Sequence, residues 1–96
     1  MAMDPTALAD ALDELASAIA RMRKQHARLA EEKPWMTRDL ELARAALAEL
    51  DGRHAALVAA GARIGPNALA DAANAVLTLE ARLMKIESTG LPRWQT

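Results

Sequence analysis

Cysteine, phenylalanine and tyrosine are absent from this 96-residue chain, and tryptophan occurs only twice. Without cysteine there is no disulfide and no thiolate metal ligand. The β-branched residues that favour sheets are scarce, with two valines and three isoleucines, which argues against a sheet protein. The longest apolar run covers residues 55–62, far short of the ~20 residues that cross a bilayer. No basic stretch followed by an apolar core opens the chain, so no cleavable signal is expected. An excess of one charge is also missing. The formal net charge is −1, which disfavours nucleic acid as a general partner.

What remains is dominated by alanine and leucine. Apolar residues make up 52%, too much for a disordered chain. A single helical domain over residues 1–96 is expected, cytoplasmic and without a membrane segment.

The apolar spacing predicts three helices, at about 5–33, 38–63 and 67–89, with a tail at 90–96. Asp4-Pro5 is a start signal, with Asp4 as the cap and Pro5 in the first turn. Leu8, Leu12, Leu15, Ile19, Met22, His26 and Leu29 then follow at alternating intervals of four and three, a heptad seam. Pro34 breaks the first helix, and Thr37 is the expected cap of the second. The second seam is Leu40, Ala43, Leu47, Leu50, His54, Leu57, Gly61 and Ile64. Because the seam keeps its phase from Leu29 through Met36 to Leu40, one long rod kinked at Pro34 competes with a hairpin. Gly65-Pro66 is the second break, and there the phase slips, as a true reversal requires. The third helix carries Leu69, Ala72, Val76, Leu79, Leu83 and Ile86, with Leu77 and Met84 expected to widen the stripe.

Segments of about 29, 26 and 23 residues would each span roughly 35–45 Å. Matched lengths and short turns favour an all-α, antiparallel three-helix up-down-up bundle with coiled-coil-like heptad packing. That order would gather seven acids against two arginines at one end (Asp4, Asp10 and Glu14 among the acids), a net of −5. The other end would hold ten cations against six acids, a net of +4. A short chain with an aliphatic core buries limited area, so extra burial against a partner or a second copy is expected.

The side chains that carry chemistry are few. His26 and His54 lie on seam positions of different helices, and neither has a His or Cys ligand at i+3 or i+4. Both are read as partly buried, satisfied histidines or as histidines at a bundle edge. Ser17 and Ser88 lie near no histidine in sequence, and no phosphate-binding glycine loop occurs. No enzyme activity, cofactor or metal is expected.

Binding is the better reading. The leading expectation is a non-catalytic protein–protein interaction module, of the size and class of helical adaptors, assembly chaperones and inhibitors encoded by phages or plasmids. Its partner would be another protein or the chain itself, as a homodimer or higher. The Leu seam and the end bearing Trp35, Leu91 and Trp94 would make the contacts, with Lys33, Arg38 and Arg93 steering. The alternative is a nucleic-acid-binding regulator. It would use the 3,4-spaced stripe Arg21, Lys24 and Arg28 to track phosphates. The helix that would enter a groove begins at Asn67 and has no cation before Arg82, which counts against it.

Overall fold

A computed structural model describes residues 4–90. Three helices, α1 (Pro5–Glu32), α2 (Thr37–Ala60) and α3 (Pro66–Ser88), all pack against one another, and no strand occurs among these residues. The expected all-α three-helix bundle is therefore what forms. The molecule is a rod, 56 × 18 × 17 Å between its outermost Cα atoms.

Pro34 is a reversal and not a kink. Lys33 ends α1 by donating its N–H to the carbonyl of Leu29 at 2.8 Å. Met36 then donates to Lys33 at 3.0 Å, closing a tight turn. That turn moves the cap one residue earlier than expected. Met36, not Thr37, is the residue flanking α2, and its carbonyl accepts the N–H of Leu40. Asp4 flanks α1 as expected, but its side chain makes no capping bond. Only its carbonyl is used, by Leu8 at 2.9 Å.

The second break departs from the expectation through one residue. Helix α2 stops at Ala60, short of the expected residue 63, because Gly61 turns to φ +54°. A side chain at that backbone angle is strained, whereas glycine adopts it readily. A single 3-10 turn over Gly61–Arg63 follows, and Gly65 and Pro66 open α3.

The interior follows the seam. Leu15, Ile19, Met22 and Leu29 of α1 meet Leu40, Ala43, Leu47, Leu50 and Leu57 of α2 and Ala72, Leu79, Leu83 and Ile86 of α3. Ile64 and Ala18 complete the core, and no polar side chain is buried among the described residues. The Leu seam is thus spent inside the chain and is not left over for a partner. Small side chains at Ala18, Ala43 and Ala72 let the axes approach closely.

Two large apolar residues of α3 escape. Leu77 and Met84 are 63% and 66% exposed. At ~100° per residue they sit about 150° around α3 from Leu79, so they cannot join the same stripe. No helix is long and apolar enough to cross a membrane among the described residues.

Candidate functional site

The up-down-up order places the start of α1, the end of α2 and the start of α3 at one end. Polar contacts fix that register. His26 donates from Nε2 to the carbonyl of Leu40 at 2.9 Å, across the first turn. Arg21 meets Glu80 at 3.4 Å and Arg28 meets Glu87 at 2.6 Å, so α1 and α3 run parallel with the same sequence offset at both bridges.

His26 is half-buried and satisfied by that bond. His54 is also half-buried. Among the described residues no three His, Asp or Glu side chains converge in a way that could hold a metal ion.

The end with the first turn is built differently from a free anchor. The Lys33 ammonium reaches across to the C-terminus of α3 and donates to the carbonyls of Ile86, Glu87 and Thr89. A cation there satisfies acceptors that the helix itself leaves open. Trp35 is half-buried in the turn, and Arg38 is exposed beside it. The other expected contacts, Leu91, Arg93 and Trp94, lie outside the described residues.

The stripe Arg21, Lys24 and Arg28 is not a clean outer face. Arg21 and Arg28 turn toward α3. Arg28 holds both Glu32, at 2.9 Å, and Glu87. The Arg28 hydrogen bond and charge hold the Glu87 carboxyl below its ordinary range, with Gln25 helping. The same pairing raises the Arg28 guanidinium, chiefly through its bond to Glu87. Two of the three cations are therefore already engaged by carboxylates.

The α1–α3 boundary is split along its length. From Arg21 upward it is bridged by Arg21–Glu80, Gln25–Glu87, Arg28–Glu87 and the Lys33 cap. Below Arg21 it opens into a groove of about 800 Å³. Its α1 wall is Ala11, Glu14, Leu15, Ser17 and Ala18, ending at Arg21. Its α3 wall runs from Leu69 and Ala70 through Ala73 and Val76 to Leu77. A smaller hollow of about 240 Å³ between α2 and α3 is rimmed by Glu49, Arg53 and Arg82.

Sequence reasoning missed this groove. A signal for it exists: once the core seam is set aside, Ala70, Ala73, Leu77 and Met84 form a second row on α3 at intervals of three, four and seven. The alanines hid it, since they read equally well as neutral helix formers.

No protein-family model, no curated protein and no solved structure matches the chain.

Proposed function

We propose that this protein is a non-catalytic protein–protein interaction module of the adaptor, assembly-chaperone or inhibitor type. It acts by presenting the α1–α3 groove to a helix of a polypeptide partner. The observation that carries this reading is the groove itself. It is open and largely apolar, walled in part by alanines, and has Leu77 exposed at its edge. Exposed apolar surface gathered in one place marks contact sites, whereas scattered residues do not. An amphipathic helix laid in such a groove would complete a four-helix arrangement. The polar residues of the groove, Glu14, Ser17 and Arg21, follow one another at intervals of three and four along its α1 wall. Glu14 and Arg21 are rim charges suited to orienting a partner.

The test is a photoreactive side chain placed at residue 77, with residue 45 on α2 as control. Irradiation of the protein in its native cell should join a polypeptide to position 77 and not to position 45. Equal labelling at the two positions overturns the reading.

A further inference from the structure

We infer that the occupant of the α1–α3 groove is a cationic amphipathic helix of another protein, laid antiparallel to α1 and α3 with its lysines and arginines toward the open end. This inference rests on the interaction-module reading. It adds the partner's chemistry and direction.

The groove has two unlike edges above an apolar floor. Buried Leu15, Ala18 and Ala72 make the floor. On α3 the edge is Ala70, Ala73 and Leu77, without charge. On α1 the edge is polar. Asp10, Glu14, Ser17 and Arg21 recur there at intervals of four, three and four, which sets them in one row. Asp4, Asp10, Asp13 and Glu14 precede Arg21, and no lysine or arginine does. Residues 66–79 of α3 contain no lysine or arginine either.

These carboxylates are not used within the chain. Among the described residues no ion pair involves Asp10, Asp13 or Glu14. They do not serve the helix dipole, whose effect fades within the first turn. That turn of α1 holds no acid, and Asp10, Asp13 and Glu14 come in the second and third turns. The nearest cation on α1, Arg21, is turned to Glu80 at the closed end. Unneutralised negative charge therefore runs beside an apolar floor.

A helix with lysine or arginine flanking an apolar stripe complements both features at once. The span from Ala11 to Arg21 is ~15 Å, or about three turns, which suits apolar anchors at i, i+3 or i+4, and i+7. Direction follows from charge. Cations are favoured in the last turn of a helix, and the unpaired acids lie toward the start of α1. The partner's C-terminal turns therefore come to the open end, and it runs antiparallel to α1 and α3, as α2 already does. The same acids repel phosphate, so a nucleic acid or an anionic lipid surface is the wrong occupant.

The experiment uses fluorescent synthetic peptides about five helical turns long. All carry leucine and alanine on one face. One has lysine along the flanks, and its twin has glutamate in place of every lysine. Fluorescence anisotropy with the purified chain should show the lysine peptide binding at least about tenfold tighter than the twin. Asp10→Lys/Glu14→Lys should invert that preference. Asp71→Lys should leave it in place, because Asp71 lies about 160° around α3 from Ala73. Ala73→Trp, which fills the groove and keeps the acids, should abolish binding. At about 1 M salt, where charges are screened within ~3 Å, the twins should bind alike. A peptide with lysines only in its C-terminal half should bind tighter than one with them only in its N-terminal half. Circular dichroism checks that each variant remains helical.

A lysine peptide that does not bind, or binds no better than its twin, overturns the inference. So does binding indifferent to Asp10→Lys/Glu14→Lys or to Ala73→Trp, or stronger with lysines in the N-terminal half. A second copy of this chain joined at residue 77 in the cell overturns it too. The module reading is judged apart. It survives failure of the lysine peptide if residue 77 still labels another polypeptide, and it falls if residue 77 labels nothing.

Discussion

The ammonium of Lys33 lies 2.9 Å from the carbonyl oxygen of Ile86, on the far side of two chain reversals. It also reaches Glu87 and Thr89, so one side chain from the first turn closes the last turn of α3. Lys33→Met keeps the stem and removes the charge. It should lower stability by about 1 kcal/mol, read as a reduced urea midpoint with an unchanged slope. No change would mean that water satisfies those carbonyls equally well.

Two glycines should respond in opposite directions. Gly52 lies in the interior of α2 with open space where a Cβ would go. Gly52→Ala should stabilise by about 0.5–1 kcal/mol. Gly61 has equally open space but a φ of +54°. Gly61→Ala should destabilise by about 1–2 kcal/mol from backbone strain alone. Thermal melts of both variants beside wild type check the sign.

Acid should loosen the turn end. The Glu87 carboxyl is held below its ordinary range, first by the Arg28 hydrogen bond and then by the Arg28 charge. A depressed folded-state value means its stabilisation is present above the unfolded value, about pH 4.3, and is lost as pH falls through the lower folded value. Glu87→Gln should therefore be less stable than wild type at neutral pH, and the gap should close below about pH 4. Denaturation midpoints on either side of that window test it. A constant gap would remove the ion pair from the account. Because both groups are exposed, the effect at neutral pH should be small.

Leu77→Glu should separate folding from binding. Leu77 is 63% exposed, and leucine and glutamate have similar helix propensity. Stability should shift by no more than about 0.5 kcal/mol, while association through the groove is lost. A variant that unfolds would show that Leu77 belongs to the core after all.

The core was legible because a heptad seam is a local pattern. Leu29, Leu50 and Leu83 are buried where their 3,4 spacing places them. The hairpin at Pro34 was legible only as one of two options, since the seam's phase runs straight through it. What decides it is the 2.9 Å bond from His26 to Leu40, and no spacing rule predicts a bond across a turn. Lys33 escaped for the same reason. Its acceptors are on another helix, and a basic residue beside a proline and a tryptophan reads as a surface anchor. Asp4 and Thr37 had the right residue types for caps, but cap chemistry depends on backbone angles that the turn dictates. The groove stayed hidden because it consists of what alanine fails to fill.

The interior contains no ring among the described residues. Among the described residues every buried side chain is open-chain and apolar, and the sequence has neither phenylalanine nor tyrosine. Trp35 sits at one tip of the rod, in the first turn. In a Trp94→Phe background its ultraviolet emission therefore reports whether that tip is closed and is blind to the shaft, which only the amide signal follows. Any lag between the two on heating measures how independently the tip opens.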